Sequence, residues 1–356
     1  MIKYLGSKRV LVPRILALVA EQEGLGTALD LFSGTARVAQ ALKRHGLRVH
    51  ANDHNAYAAV LGACYVQADR DRWQGQAERL IAELDAVAGR PGWFTDTFCV
   101  RARYFRPENG ERVDAIRDRM ATLGLEPELL SIALTSLMEA ADRVDSTVGV
   151  QMAYLKRWAP RALQPLRLRV PELLPGAGSA SCLEALEAAG RFEADLAYLD
   201  PPYNQHSYLG NYHIWESLVR WDRPEVYGVA MKRADVRERT SPFNRRGEIE
   251  AAFRALVDAV RARVLIVSFN DEGYLAPATV RAILERRGAV RTIEVPYRRY
   301  VGAQIGIYNP QGEKVGVPGR GSNREHLFVV ETEPTPTAAG GGSRPTRGAR
   351  SRAPAG

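Results

Sequence analysis

Asp200, Pro201, Pro202 and Tyr203 directly follow the apolar segment LAYL, which has the composition of a buried strand. Two consecutive prolines supply no backbone N–H groups and restrict φ, so the chain must leave the strand in a rigid extended turn with free carbonyl groups. The Asp200 carboxylate and the Pro201 carbonyl could then accept both N–H groups of an exocyclic amino group, while the Tyr203 ring stacks on a flat base. The alternative is a loop that leads into a helix, with Asp200 as its cap.

A second set of candidate residues surrounds a glycine turn near the N-terminus. Asp30 lies near the end of the apolar segment ALDLF, and Gly34 follows in a turn before a helical pattern, where open α/β sheets bind ligands. Asp53 comes about twenty positions later, a spacing typical of an acid that accepts ribose hydroxyls. The pair favours a nucleoside-containing ligand, although Gly34 could serve only the turn and Asp53 could be a helix N-cap. Ala36 and Arg37 break the GxGxxG pattern of dinucleotide-binding folds.

The elements that must position these residues alternate between strand and helix. Hydrophobic patterns predict strands over 26–32, 47–53, 194–200, 263–270, 290–296 and 326–331, and helices over 11–23, 249–261 and 279–288. A further helix follows Gly34, so the first strands form a βαβ unit and a parallel sheet is expected. Residues 72–180 interrupt the alternation with predicted helices over 73–88, 111–123, 127–143 and 150–158. This stretch is too long for an ordinary connection, which indicates an inserted subdomain.

Length and composition restrict the class of protein. The 356 residues, 46% of them hydrophobic and 25% charged, fit a soluble chain with one large or two smaller domains. No run of about 18 apolar residues predicts a membrane helix, and the N-terminus does not resemble a signal peptide. Three scattered cysteines without a CxxC pair favour neither disulfides nor a cysteine-rich metal site and fit the cytoplasm. The net charge of +8 suits a polyanionic partner without requiring one.

Five segments together resemble a known family, the Dam-like, alpha-class DNA adenine N6-methyltransferases. DLFSGTARVA resembles the family's cofactor motif, DPPY its catalytic motif and YLGSK its N-terminal motif, and SFNDEGYL and NREHLFVV resemble later segments. The resemblance implies an α/β fold with a Rossmann-like, S-adenosylmethionine-dependent methyltransferase sheet and an inserted, mostly helical target-recognition subdomain. It places the catalytic domain at 1–71 and 181–332 and the target-recognition region at 72–180. Residues 333–356, rich in Pro, Thr, Gly and Arg, are expected to form a disordered basic tail.

The resemblance also implies roles for individual residues. The cofactor would be S-adenosylmethionine, with Tyr4 and Lys8 at its methionine end and Asp53 at its ribose. The complete set of implied cofactor contacts is Tyr4, Lys8, Asp30, Phe32, Gly34, Asp53 and Asp200. The implied catalytic residues are Asp200, Pro201, Pro202 and Tyr203, which would bind an adenine flipped out of the duplex and aim its N6 at the methyl group. The family usually has a second glycine where Ala36 stands, so the turn is expected to be slightly tighter here.

Eight basic residues and one asparagine in three segments are the predicted contacts to DNA, because lysine and arginine side chains bind phosphates and arginine–aromatic mixtures can read bases. These residues are Arg101, Arg103, Asn109, Lys156, Arg157, Lys232, Arg233, Arg245 and Arg246. The expected partner is double-stranded DNA, with a cognate restriction endonuclease acting separately. No metal and no membrane are expected, and the chain is expected to act as a monomer in the cytoplasm, associated with the nucleoid.

Several alternatives share part of this pattern. An enzyme that methylates cytosine N4 or RNA would need the same acceptors for an amino group. A protein glutamine methyltransferase would typically have Asn at position 200, and a nicotinamide dehydrogenase would need the GxGxxG pattern. A non-catalytic DNA-binding module would not need both Asp53 and an intact DPPY. None of the three cysteines follows a proline, which argues against a cytosine C5 methyltransferase.

Overall fold

A seven-stranded, mostly parallel sheet forms the centre of the structure, a computed structural model that describes residues 1–298 and 322–332. The strands are β1 Thr27–Asp30, β2 Arg48–Asn52, β3 Gly178–Ser181, β4 Glu193–Leu199, β7 Arg261–Asn270, β8 Gly288–Arg298 and β9 Ser322–Thr332; β5 Val226–Tyr227 and β6 Lys232–Arg233 form a separate hairpin. The order is β3-β2-β1-β4-β7-β9-β8, and β9 runs in the opposite direction to the other six strands. The predicted α/β fold class is confirmed.

The order in which the strands are added to the sheet reverses between β1 and β4, which are parallel neighbours. From β1 it proceeds outward through β2 to β3, whereas β4 lies on the other side of β1 and leads to β7. Asp30 at the end of β1 is in register with Ala51 on one side and Tyr198 on the other. The carboxyl ends of these strands therefore meet at a topological switch point, where open α/β sheets form a ligand crevice.

Helices cover both faces of the sheet. They are α1 Val12–Ala20, α2 Arg37–Arg44, α3 Ala56–Gly62, α4 Arg70–Asp85, α5 Trp93–Thr95, α6 Pro107–Thr122, α7 Pro127–Arg143, α8 Ala185–Arg191, α9 Tyr208–Asn211, α10 His213–Arg220, α11 Ile249–Ala259 and α12 Pro277–Leu284. Successive strand residues alternate between two apolar cores: Leu196 and Tyr198 of β4 face one, Ala197 and Leu199 the other. This alternation follows from the two-residue period of a strand. Strand β4, which directly precedes Asp200, is therefore packed on both faces.

The helices of the predicted insert share the core of the sheet. Leu80 of α4, Ile116 of α6 and Leu137 of α7 belong to the same apolar cluster as Ile15 of α1 and Leu42 of α2. The helices predicted over 73–88, 111–123 and 127–143 are present within a few residues of those bounds. The boundary of a target-recognition region at 72–180 stays a prediction.

The helix predicted over 150–158 is wrong. The chain from 144 to 159 is irregular, and its backbone donors bind distant acceptors instead of a helical turn. The N–H of Gln151 donates to the carbonyl of Asn211, and that of Leu155 to the carbonyl of Ser146. Gly149, with a φ of +99°, and Pro160 bound the segment and disfavour a continuous helix. Apolar spacing alone did not reveal these long-range partners.

The structure describes only part of the chain for which a basic tail and the absence of a membrane helix were predicted. The predicted tail at 333–356 lies outside the described residues, as do residues 299–321. Within the described part of the chain, no helix is both long and apolar enough to cross a membrane.

Candidate active site

A cleft lies at the carboxyl ends of β1, β2 and β4. The N-terminal segment, the turn after β1 and the segment after β4 form its walls, together with Ser241 and Phe243 from the connection before α11. Of the predicted cofactor contacts, Tyr4, Lys8, Asp30, Phe32, Gly34, Asp53 and Asp200 all line this one cleft.

The turn after β1 is held by Asp53. Gly34 has a φ of +51°, and a Cβ atom there would lie 3.2 Å from the Tyr4 ring, so the turn needs glycine on both grounds. The Gly34 N–H donates to Asp53 Oδ2 at 3.0 Å, while Asp53 Oδ1 accepts from the N–H of Asn55 at 2.9 Å. Asp53 therefore fixes the turn, and Asn55 is the residue at the N-cap of α3. Asp53 Oδ1 also accepts from Asn55 Nδ2 at 3.1 Å, so Oδ2 is the oxygen with a second lone pair for a hydroxyl group of a ligand.

Ala36 adopts the left-handed conformation, with φ +57° and ψ +23°, at the start of α2. This is the position where the resembled family usually has glycine, which takes this conformation without a steric penalty. The Ala36 side chain is buried. The turn keeps its left-handed shape with alanine, at the expense of local backbone strain.

Five polar atoms in the cleft have no partner. Among the described residues, eight buried side-chain polar atoms lack a hydrogen bond, and five of them belong to residues that line the cleft. These five are Asp30 Oδ1, Ser33 Oγ, Arg37 Nε, Asn55 Oδ1 and Tyr198 Oη. Because buried polar groups are nearly always hydrogen-bonded in folded proteins, this concentration indicates a surface shaped for a polar ligand.

The cleft contains both an acidic and a basic group, Asp30 and Arg37, that are not paired with each other. Asp30 Oδ2 accepts from the N–H of Ala39, and burial together with the nearby Asp200 carboxylate raises the pKa of Asp30 to about 8. Arg37, the first residue of α2, makes no ion pair within the described ranges, and burial followed by the charge of Arg9 lowers its pKa. A ligand with a cationic group near Asp30 and an anionic group near Arg37 would satisfy both.

Asp200, which lies near Asp30, forms an ion pair with Lys8. Lys8 Nζ lies 3.0 Å from Asp200 Oδ1 and 2.6 Å from Glu325 Oε1. Burial raises the pKa of Asp200 to about 6; the Lys8 charge opposes this shift and the Glu325 charge reinforces it. The Asp200 side chain is 18% exposed, so its carboxylate can accept a hydrogen bond from a ligand. Lys8 thus contacts the predicted catalytic carboxylate.

The segment after Asp200 is anchored from two sides. The Tyr203 carbonyl accepts from the N–H of Tyr274 at 2.8 Å, and Asn244 Nδ2 donates to the carbonyls of Asn204 and His206 at 2.7 and 3.2 Å. Pro202 lines the cleft, whereas the half-buried Tyr203 ring lies 6.5 Å from that of Phe269. Asn244 and Tyr274 therefore position the DPPY segment, and neither was identified from the sequence.

Three tyrosine rings stack to form one wall of the cleft. The Tyr4 ring lies 5.1 Å from Tyr208 at an interplanar angle of 9°, and 4.6 Å from Tyr212 at 16°. Tyr212 is buried and its hydroxyl accepts from the N–H of Leu5, whereas Tyr208 lines the cleft. The stack joins the YLGSK segment to the helices that follow DPPY.

The residues predicted to bind DNA differ in accessibility. Lys156, Arg157 and Arg246 are exposed, as are Arg101, which lies 3.8 Å from Asp96, and Arg245, which pairs with Glu248. The guanidinium of Arg103 lies over the Trp158 ring, and Lys232 is half-buried on the β5–β6 hairpin.

Two of the predicted contacts have structural partners instead. Asn109 is buried: its amide nitrogen donates to the carbonyls of Ala162 and Gln164, and its oxygen accepts from the N–H of Leu166. Arg233 is 2% exposed and binds the carboxylates of Asp222 and Asp235, as described below. In this conformation neither side chain can reach a base or phosphate. Side-chain burial, which the local sequence does not reveal, is the reason.

Transfer to an amino group requires a donor site and an amino-accepting site side by side, and the cleft and the DPPY segment meet at one sheet edge. This arrangement defines a Rossmann-like methyltransferase that depends on S-adenosylmethionine. The chain belongs to the D12 class N6 adenine-specific DNA methyltransferases, whose family model matches residues 4–283. The predicted family, cofactor and class of enzyme are thereby confirmed.

The chain is similar to several curated methyltransferases. It is 29% identical to type II methyltransferase M.NlaIII of Neisseria lactamica over 76% of this chain and 83% of that protein. It is 28% identical to M.FokI of Planomicrobium okeanokoites over 84% of this chain and 49% of that protein, so it spans about half the length of that relative. Identity to M.CviAII of Paramecium bursaria Chlorella virus 1 is 24%, over 93% and 99% of the two chains.

Among solved structures, the chain resembles a SAM-dependent methyltransferase from Agrobacterium tumefaciens with a TM-score of 0.33 and 10% identity, over 93% of this chain and 64% of that one. The family assignment rests on the sequence match and not on this likeness.

Proposed function

We propose that this chain methylates the N6 amino group of adenine at a specific site in double-stranded DNA, and that the target base leaves the duplex before transfer. The observation that carries the proposal is the meeting of a cleft rich in unpaired polar atoms with the Asp200–Tyr203 segment at one sheet edge. Extruding a base costs a few kcal/mol of stacking and pairing, which contacts in the site must offset.

The residues of the cleft fit S-adenosylmethionine, which supplies an electrophilic methyl group. Arg37 would bind the cofactor's carboxylate, because its guanidinium has no acidic partner within the described residues. Asp30, with one free oxygen, would face its cationic groups, and a nearby cation would lower the raised pKa of Asp30. Asp53 and Asn55 offer oxygens to the ribose hydroxyls.

The DPPY segment would hold the target amino group. Asp200 and the Pro201 carbonyl accept its two N–H donors, which leaves the nitrogen lone pair directed at the methyl carbon. When bound, S-adenosylmethionine would supply the methyl group and would leave as a neutral thioether, while the methylated nitrogen would release one proton to water. Tyr203 would stack on the base, worth about 1–3 kcal/mol. Lys8 already binds one Asp200 oxygen. Catalysis therefore depends on positioning and electrostatics.

Transfer of labelled methyl groups to defined substrates tests this proposal. Purified protein is mixed with methyl-labelled S-adenosylmethionine and duplex DNA, single-stranded DNA or RNA, and the nucleosides of the product are separated. We expect N6-methyladenine in duplex DNA at one recurring sequence. Label in N4-methylcytosine or mainly in RNA would assign the chain to the alternative amino methyltransferases, and DNA binding without transfer would indicate a non-catalytic module.

The biological partner is inferred from the relatives. M.NlaIII and M.FokI are type II methyltransferases. We infer that methylation by this chain protects the DNA of its host, in the cytoplasm, against a separate restriction endonuclease, and that the chain acts as a monomer. Plasmid DNA from cells that express the chain should become resistant to an endonuclease that recognises the methylated site. Sedimentation with a duplex that contains the site should show one chain per duplex.

A further inference from the structure

Glu325 lies buried behind the predicted catalytic carboxylate. It comes from β9, and 317 positions separate it from Lys8, to which its Oε1 is bound at 2.6 Å. Ser268 Oγ donates to the same oxygen at 2.5 Å, and Asn270 Nδ2 donates to Oε2 at 3.3 Å. Glu325 is 2% exposed, so these donors replace water around its charge.

This arrangement keeps Glu325 ionised. Burial opposes the charge, but Lys8, Ser268 and Asn270 outweigh it and lower the pKa of Glu325 below its ordinary value. Lys8 is fully charged, because its two acidic neighbours outweigh the effect of burial and raise its pKa. Lys8 therefore lies between two carboxylates. Glu325 accepts from three donors, whereas Asp200 is open to the cleft.

Each partner of Lys8 restrains it differently. Without the Glu325 charge, the ammonium group would turn fully to Asp200 and compete with an incoming amino group for its oxygens. With that charge, Lys8 contacts Asp200 Oδ1 at 3.0 Å while Glu325 retains it from behind. The second Asp200 oxygen then remains for the ligand.

We propose that Glu325 is a positioning residue for methyl transfer, which acts through Lys8 to keep one carboxylate oxygen of Asp200 open to the target amino group. The catalytic part of this inference rests on the proposed function. Glu325 does not itself reach the substrate.

Other groups near Asp200 do not obscure a pH test around its pKa of about 6. Tyr198 and Tyr208 contribute electrostatically, but burial raises the pKa of each well above the ordinary tyrosine value. In the cofactor-free protein, Asp30, with a pKa raised to about 8, is largely protonated at pH 6, so it does not titrate together with Asp200 in the NMR measurement below. Lys8 and Glu325 are therefore the charged groups that set the ionisation of Asp200 in this range.

Glu325→Gln and Lys8→Gln give shifts of opposite sign. Removal of the Glu325 charge lowers the pKa of Asp200, so the acid limb of kcat/KM moves to lower pH, while kcat falls about 10–100-fold because Lys8 competes for Asp200. Removal of the Lys8 charge moves the acid limb to higher pH. KM for DNA and cofactor affinity should stay within about threefold in Glu325→Gln. Glu331→Gln, an exposed substitution on the same strand, is the control and should change none of these.

Carboxyl ¹³C NMR of the free protein measures the same effect without catalysis. The Asp200 signal, assigned by its loss in Asp200→Asn, should titrate at lower pH in Glu325→Gln and at higher pH in Lys8→Gln. Unmoved titrations, or a kcat within twofold of wild type, would overturn the positioning role. NMR shifts without any DNA methylation would contradict the proposed function and leave the electrostatic link intact. If Glu325→Gln does not fold, Glu325→Asp replaces it: the acid limb stays and kcat falls severalfold, and an unchanged kcat overturns the proposal.

Discussion

The cleft and the basic segments differ in how many of their polar groups have partners within the protein. In the cleft, five buried polar atoms have no partner and Asp200 keeps an accessible carboxylate. In the basic segments, Arg233 binds two aspartates, Arg245 binds Glu248, and Arg103 covers a tryptophan ring. The sheet determines the position of a residue at a strand end. The partner of a long cationic side chain depends instead on which acids the tertiary structure brings within reach.

Neighbouring residues on β6 provide the sharpest test of this difference. Arg233 donates to Asp222 at 2.7 Å through two nitrogens and to Asp235 at 3.0 and 3.1 Å. Because Arg233 is buried but both aspartates are partly exposed and can be hydrated after its removal, Arg233→Ala should lower the free energy of unfolding by about 1–3 kcal/mol. Chemical denaturation would measure it.

Lys232→Ala is the matched control. Lys232 is half-buried and forms no ion pair with any residue in the described ranges, so stability should change by about 0.5 kcal/mol or less. If Lys232 binds a phosphate, its loss should weaken DNA binding and reduce the salt dependence by about one unit of slope. Equal destabilisation by the two substitutions would contradict the contrast between paired and unpaired cations.

Within the cleft, Asp200→Ala should have the largest effect on activity. Loss of the acceptor for the amino group should reduce kcat by about 10²–10³-fold, the usual consequence of removing one preorganised group that stabilises a transition state. Single-turnover methyl transfer would measure the rate, and circular dichroism would confirm the fold. Asp271→Ala, an exposed residue just after β7, is the control. A wild-type rate in Asp200→Ala would refute the mechanism.

Arg37→Ala examines the proposed contact to the cofactor's carboxylate. A charge-assisted hydrogen bond to the cofactor's carboxylate should be worth about 10–100-fold in affinity for S-adenosylmethionine, measured by calorimetry. Decarboxylated S-adenosylmethionine should lose less than about threefold, because it lacks the group that Arg37 binds. Arg9→Ala, exposed and nearby, should leave both affinities unchanged. Equal losses for the two ligands in Arg37→Ala would place the carboxylate elsewhere.

Motifs at strand ends were predictable because period-two patterns locate the strands and parallel strands bring their carboxyl ends to one edge. Asp30, Asp53 and Asp200 were identified in this way, and all line one cleft. Glu325 lies in a segment that resembles a family motif, but its contact with Lys8 spans 317 positions, and no local pattern predicts it.

The same limit explains the predictions that the structure does not support. Asn109 looked like a base-reading residue because arginines and aromatics surround it in the sequence. In the structure its amide binds backbone groups of residues 162, 164 and 166, more than fifty positions away. The helix predicted over 150–158 fails for the same reason, since backbone donors there bind acceptors outside a helical turn, such as the Asn211 carbonyl. Composition predicts what a side chain can do, and tertiary contacts determine what it does.

Ala36→Gly should have the smallest effect. Relief of the left-handed alanine at φ +57° favours glycine by about 1–2 kcal/mol. Loss of a buried methyl costs about 0.8 kcal/mol, and the greater freedom of glycine in the unfolded chain costs about 0.4–1 kcal/mol. These terms nearly cancel, so the free energy of unfolding should stay within about 1 kcal/mol of wild type in chemical denaturation.

Ala36→Val distinguishes strain from packing at the same position. A β-branched residue in the left-handed region is strained, and the site is fully buried, so this substitution should destabilise the protein by about 2 kcal/mol or more. If glycine were as harmful as valine, packing of the Ala36 methyl group would dominate over backbone strain. The turn would then depend on the packing of its side chains. It would share with the family's glycine turn only its position in the sequence.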